Sequence, residues 1–157
     1  MLNLDDDVEE FACISNETSA LISKGYPIKK GDLGAFVVPC DIKDMEFNNA
    51  LVDLEASINF MPSCVLKKMK LPYLSPTRLN LYLADGTIPC PKGIAEDMLV
   101  KVGEFIVPLD FVVCDMGVED SCGLLIHGRP FLATCGAIID VGMGEITLRI
   151  NGNRVVL

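Results

Sequence analysis

Hydrophobic and polar residues alternate over several short stretches of the chain, a period of two that is typical of β-strands. The clearest case is the segment 77–83, whose three leucines share one face. Short apolar runs predict further strands at 35–40, 47–54, 99–102, 105–114, 137–141, 145–150 and 154–157. The hydrophobic pattern therefore predicts an all-β domain.

Turn and helix signals divide these runs. Asp85-Gly86 directly follows an alternating stretch and predicts the turn of a hairpin. Gly103-Glu104 predicts a second hairpin between two apolar runs. Short helices are predicted at 61–69 and 128–134, because each has a proline in its first turn. Many short strands with one or two short helices indicate a small closed β-barrel or folded sheet.

The first part of the chain differs from the rest. Its acidic cluster at 5–10 is followed by polar residues, and a glycine and a proline limit any helix at 20–23 to one turn. We therefore expect residues 1–33 to form an acidic N-terminal arm or linker that is partly mobile. Residues 34–157 are expected to form the folded domain.

Composition narrows the function classes. The sequence has 157 residues and a net charge of −9, and it lacks the basic stripe that phosphate contacts require, so we expect no nucleic-acid partner. No apolar run reaches the roughly 18 residues of a membrane span, and the N-terminus does not resemble a signal peptide.

The seven cysteines are scattered, with no C-x-x-C pair. A zinc site or a disulfide framework usually has more closely spaced cysteines. We therefore expect reduced thiols, a cytoplasmic or nuclear location, and neither a metal nor another cofactor.

One carboxylate stands out by its position. Asp53 ends the apolar stretch Ala50-Leu-Val, and a charge at a buried strand end is costly unless it is paired or functional. The alternative is that Asp53 only caps the turn that follows. From the residues alone, the turn cap is the simpler interpretation.

The order of the segments resembles the retropepsin-like aspartic protease domain of plant Ty3/gypsy-type retrotransposon polyproteins. The resemblance runs from about Lys30 to the last residue, and its order and spacing are more specific than any one segment. The segments that carry it are 36–40, 50–62, 81–86, 96–102, 108–113, 125–134 and 137–140.

This resemblance implies a retropepsin-like (acid protease) fold and an aspartic endopeptidase in which Asp53 is catalytic. Two aspartates must share one proton around a water, so a domain with one such residue implies a homodimer acting on a peptide or polyprotein. The implied neighbours of Asp53 are the active-site loop Leu54, Glu55, Ala56 and Ser57, the flap Ala84, Asp85, Gly86 and Thr87, and the adjacent Ile126, Gly128 and Arg129.

The catalytic triplet departs from the usual Asp, Ser or Thr, Gly, because Leu54 and Glu55 follow Asp53. The alternative function is therefore a catalytically inactive remnant that serves in dimerisation or peptide binding. Two further alternatives concern single residues. His127 is either a catalytic histidine or a packed substitution, and Asp140 either pairs with Asp53 in one chain or merely reflects the pseudo-symmetry of the fold.

Overall fold

The protein is described by a computed structural model over residues 10–24, 36–70, 73–82, 91–115 and 124–157. Within these ranges the elements are short strands and three helices. In chain order they are β1 (Glu10–Cys13), α1 (Asn16–Lys24), β2 (Phe36–Val37), β3 (Cys40–Ile42), β4 (Met45–Phe47), β5 (Leu51–Val52), β6 (Phe60–Pro62), α2 (Ser63–Met69), β7 (Leu79–Tyr82), β8 (Pro91–Val102), β9 (Phe105–Cys114), β10 (Ile126–His127), α3 (Arg129–Thr134), β11 (Ile138–Asp140), β12 (Glu145–Ile150) and β13 (Asn153–Val156).

Eight of the strands form one curled sheet in the order β2-β5-β10-β6-β9-β8-β3-β4. The two-residue strand β10 lies inside this sheet, parallel to β5 and antiparallel to β6. The prediction of an all-β domain is confirmed. Both helices predicted from proline positions also form, as α2 and α3.

The predicted hairpin at Gly103-Glu104 forms the longest strand pair, β8 with β9. Gly103 has φ +60°, which glycine adopts without a steric penalty in a tight turn. A register shift between Ala95 and Met98 interrupts the pair, and the Asp97 N–H there donates to Asp110 Oδ1 at 2.8 Å. The hairpin predicted at Asp85-Gly86 lies outside the described residues.

Part of the predicted arm is folded against the domain. β1 runs parallel to β7 in a separate two-stranded sheet, with Glu10 opposite Leu79. Ala12, Ile14 and Leu21 are buried in a hydrophobic cluster with residues of the main sheet. The helix expected to be one turn long is the nine-residue α1.

A three-stranded antiparallel sheet, β11-β12-β13, completes the described chain. Ile146, Leu148 and Ile150 of its central strand enter the main core. Among the described residues, no helix is long and apolar enough to span a membrane.

The expectation of reduced thiols is wrong for Cys64. Cys64 in α2 is disulfide-bonded, whereas the thiols of Cys13, Cys40 and Cys135 are free. Residues far apart in sequence can still meet in space, so the wide cysteine spacing did not exclude a disulfide.

Candidate active site

Asp53 directly follows β5 and is 6% exposed. The preceding residue, Val52, is paired with His127 on one side and with Phe36 on the other. The Asp53 N–H donates to the His127 carbonyl oxygen at 2.8 Å, which continues the pairing with β10 beyond the end of the strand. The backbone at Asp53 is therefore fixed by the sheet, although its side chain belongs to a loop.

Both carboxylate oxygens of Asp53 accept main-chain hydrogen bonds. The Glu55 N–H donates to Oδ1 at 3.0 Å, and the Ser15 N–H donates to Oδ2 at 2.9 Å. The first contact is a local Asx turn, the role that the simpler interpretation of the sequence gave to this aspartate. The second comes from a residue 38 positions earlier, which a turn cap does not require.

The departures from the usual triplet fit the loop. Glu55 is exposed and does not have a positive φ, so its side chain meets none of the strain that a glycine-only conformation would impose. Leu54 is 51% exposed beside Asp53. The loop therefore has a backbone conformation at position 55 that does not require glycine. The acidic side chain of Glu55 and the apolar side chain of Leu54 are both exposed.

Strand β10 and the segment after it contact the strand and the loop on either side of Asp53. Ile126 is paired with Leu51, and the Arg129 N–H donates to the Ala56 carbonyl oxygen at 2.9 Å. At Gly128, an added Cβ would lie 2.0 Å from the Ile58 carbonyl oxygen. Only glycine permits this approach of the two backbones.

Asn59 is a buried connector that the sequence did not single out. Its Oδ1 accepts the Gly128 N–H at 2.9 Å, and its Nδ2 donates to the Asp110 carbonyl oxygen at 3.1 Å. The side chain is 1% exposed, so these bonds satisfy an amide that would otherwise be costly to bury. Asn59 thus ties the loop after Asp53 to β9 and to the residue that follows β10.

His127 is packed in the core. It is fully buried, and its ring stacks on Phe131 with centroids 4.2 Å apart. Its Nε2 lies 3.5 Å from the Cys40 sulfur, and its Nδ1 has no hydrogen-bond partner. Burial lowers the pKa of His127 to about 3. Burial, together with the neighbouring Asp41 charge, raises the pKa of Cys40 to about 12.

These values make the Cys40–His127 contact a neutral pair sealed from solvent at ordinary pH. A cysteine nucleophile requires a thiolate and access to substrate. The ring of His127 therefore serves packing, whereas its carbonyl oxygen supports Asp53.

Asp140 has a local role in a turn. It is exposed at the end of β11, and its Oδ1 accepts the Met143 N–H at 3.0 Å. Its strand belongs to the separate three-stranded sheet. Asp140 therefore stabilises a turn and makes no contact with Asp53.

A cavity of about 260 Å³ opens beside Asp53. Its lining includes Ser15 and Thr18 from the N-terminal segment, Phe36, and the carboxylates Glu17 and Glu55. In the described part of the chain, no three His, Cys, Asp or Glu side chains converge as metal ligands would. The implied flap, Ala84, Asp85, Gly86 and Thr87, lies outside the described residues.

Sequence reasoning missed Ser15 as well as Asn59. Ser15 precedes α1 and its Oγ accepts the Thr18 N–H at 3.1 Å, the arrangement of a helix N-cap. The sequence Ser15-Asn-Glu-Thr18 carried that signal, but it lay in the segment assigned to the arm. Nothing local connected it to Asp53.

No family model matches the chain, and no curated protein matches it. Among solved structures, the chain is similar to the retroviral protease-like domain of Ddi1 from Leishmania major, with a TM-score of 0.55 and 23% sequence identity. The similarity covers 78% of this chain and 91% of that one. It confirms the retropepsin-like fold.

Proposed function

We propose that this chain is one half of an aspartic endopeptidase, with Asp53 as its catalytic residue and a second copy supplying the other aspartate. The observation that supports this proposal most directly is the position of Asp53. It follows β5, a strand that is paired with β2 on one side and with β10 on the other. The retropepsin-like fold supports this assignment, because proteins of this fold are typically dimeric. A Ty3/gypsy-type plant retrotransposon origin belongs to the proposal and rests on the sequence resemblance.

The chemistry follows from two aspartates that share one proton. The ionised one takes a proton from water, the water oxygen attacks the scissile carbonyl, and the protonated one polarises that carbonyl. The tetrahedral intermediate then collapses and the amine leaves with a proton. The Glu55 N–H on Asp53 Oδ1 fixes the orientation of the carboxylate throughout.

The described residues also favour a symmetric partner. Leu54 is a large apolar side chain that is half exposed beside a buried carboxylate. Burial of such a side chain against a second copy removes apolar surface from water. A homodimer would thus cover Leu54 and bring two Asp53 side chains together.

The second candidate is a retropepsin-like remnant that binds peptides or dimerises without cleaving. The exposed Glu55 favours it, because a dimer would place two additional carboxylates near a pair that must hold a single shared proton. Glu55→Gly is therefore the substitution that separates the two candidates.

The test is cleavage of a mixed peptide library at mildly acidic pH, followed by mass spectrometry. Cleavage by the wild type that a statine-type inhibitor blocks and Asp53→Asn abolishes supports the endopeptidase. An inert wild type with an active Glu55→Gly variant supports the remnant. Sedimentation that finds only monomer at high concentration contradicts the composite site and the dimerising module, and leaves only a remnant that binds peptides as a monomer.

A further inference from the structure

The chain itself occupies the outer side of the candidate catalytic carboxylate. Ser15 N–H donates to Asp53 Oδ2 at 2.9 Å while Glu55 N–H holds Oδ1. Both oxygens are therefore engaged by backbone donors, and Asp53 is 6% exposed. Each of these oxygens can accept a further hydrogen bond, so what the segment around Ser15 restricts is the access of a second aspartate or a catalytic water to Asp53.

The residues around Ser15 follow the loop closely. The Cys13 N–H donates to Ser57 Oγ at 3.0 Å, and the Ser57 N–H donates back to the Cys13 carbonyl oxygen at 3.0 Å. The Cys13 thiol lies 3.4 Å from the Glu55 carbonyl oxygen. Residues 13–15 thus contact Asp53 and two positions of the active-site loop, Glu55 and Ser57.

This segment is held in place from both ends. Ala12 and Ile14 point into a buried hydrophobic cluster, and β1 pairs with β7 before the contact. After it, the Ser15 Oγ caps α1 through Thr18. The capping geometry fixes the direction of the Ser15 backbone, whose N–H points at the carboxylate.

We propose that residues 11–18, the cover segment, form an autoinhibitory contact that must leave Asp53 before two copies of the chain can build an active site. The inference rests on the proposed function, because it assumes that Asp53 must meet its symmetry mate. The cover occupies the approach to Asp53 that this partner would need. Covered wild type is therefore expected to be monomeric and inert, and the sedimentation and cleavage tests of the proposed function extend to a variant whose cover is released.

The cover can be displaced without dismantling the main sheet. β1 and β7 form only a two-stranded sheet, and a pair of strands alone is marginally stable in water. The eight-stranded sheet that positions Asp53 does not include β1. Release of the cover therefore breaks no hydrogen bond between β5 and β10, although it uncovers the cluster that Ala12 and Ile14 share with Leu51 and Ile126.

The test compares Ser15→Pro with Ser15→Ala in the full chain. Both variants lose the Oγ cap of α1, but only proline also removes the N–H that binds Asp53. Each is treated with a water-soluble carbodiimide and glycinamide at a concentration where sedimentation shows monomer. Mass spectrometry follows amide formation at Asp53, with the exposed Glu55 as internal reference.

We expect Asp53 to be modified at least about tenfold faster in Ser15→Pro than in Ser15→Ala, because a hydrogen bond to a charged group is lost. Equal rates in two folded variants overturn the cover. If Ser15→Pro does not fold, Ser57→Ala replaces it and is compared with wild type. This variant removes the hydroxyl oxygen that accepts the Cys13 N–H, and so loosens the cover without changing Ser15. Because a loosened cover should expose Asp53 more often, unchanged labelling of Asp53 also overturns the proposal.

Peptide cleavage by the same variants separates the cover from the proposed function. Faster labelling of Asp53 in Ser15→Pro, together with peptide cleavage by that variant alone, supports both the cover and the endopeptidase. Faster labelling with no cleavage by either variant supports the cover and counts against catalysis. Equal labelling with equal cleavage leaves the endopeptidase standing and overturns the cover.

Discussion

The carbonyl oxygen of His127 accepts the Asp53 N–H at 2.8 Å, so the buried histidine and the candidate catalytic aspartate share one hydrogen bond between neighbouring strands. The ring of the same histidine lies in the core against Phe131. A change in the charge of that ring would therefore disturb the strand that positions Asp53.

The first prediction is a loss of stability in acid caused by His127. Burial holds its pKa at about 3, whereas an unfolded histidine titrates near its ordinary value of 6.5. The unfolded chain therefore binds a proton that the folded chain refuses, and the free energy of unfolding falls as pH drops from about 6.5 toward 3. Between neutral pH and pH 4.5 this amounts to about 2–3 kcal/mol.

Urea unfolding of the wild type and of His127→Leu across this pH range measures the effect. Acidic side chains titrate in both proteins, so the difference between the two curves isolates the histidine. The pH-dependent part of the difference between the two free energies of unfolding should vanish above neutral pH. In acid the difference should shift in favour of His127→Leu. Parallel pH dependences would show that His127 is not the source.

The second prediction concerns the close approach at Gly128. A Cβ there would lie 2.0 Å from the Ile58 carbonyl oxygen, so Gly128→Ala must separate two backbones. We expect a loss of at least about 2 kcal/mol in the free energy of unfolding. Gly142→Ala is the control, because its nearest neighbour is Asp140 Oδ1 at an ordinary 3.5 Å. Similar melting temperatures for the two variants would contradict the geometry.

The third prediction concerns the connector Asn59. Asn59→Ala leaves the Gly128 N–H and the Asp110 carbonyl oxygen without their partner. We expect a loss of about 2–4 kcal/mol in the free energy of unfolding, since the Gly128 N–H loses a buried bond and the Asp110 carbonyl oxygen a part-buried one. The exposed Asn153 reaches only the Asn151 carbonyl oxygen at 3.5 Å, so Asn153→Ala should cost far less. Denaturant unfolding of both variants makes the comparison.

The fourth prediction orders the free thiols by reactivity. Burial raises the pKa of Cys40 to about 12 and that of Cys135 to about 11, so neither supplies thiolate at neutral pH. Cys13 is exposed. Iodoacetamide on the native protein should therefore modify Cys13 well before Cys40 and Cys135, as peptide mass spectrometry would show. Early alkylation of Cys40 in folded protein would contradict its burial.

Local sequence patterns predicted the elements whose signals are local. The long β8–β9 hairpin follows from apolar runs on either side of Gly103-Glu104, and α2 and α3 follow from their prolines. The position of Asp53 at a strand end singled it out, and the resemblance assigned roles to it and to Ile126, Gly128 and Arg129 that stay predictions. These features depend on neighbours in the chain or on an order of segments, both of which a single sequence displays.

The contacts that complete the site had no local signature. Ser15 meets Asp53 across 38 positions, and Asn59 meets Gly128 across 69. A serine before a short polar run looks like arm sequence until the helix that it caps is known. The ring of His127 could be placed in the core only once Phe131 and Cys40 were seen around it.

The pairing of β5 with β10 joins two segments of the chain that are synthesised at different times. Leu51 pairs with Ile126, so the strand that holds Asp53 leaves the ribosome 75 residues before its parallel neighbour. At about 5–20 residues per second, translation separates the two strands by several seconds. During that interval the aspartate loop has no β10 to hold it, and residues 11–18 have already been made. The aspartate loop can therefore contact residues 11–18 before β10 is available to it.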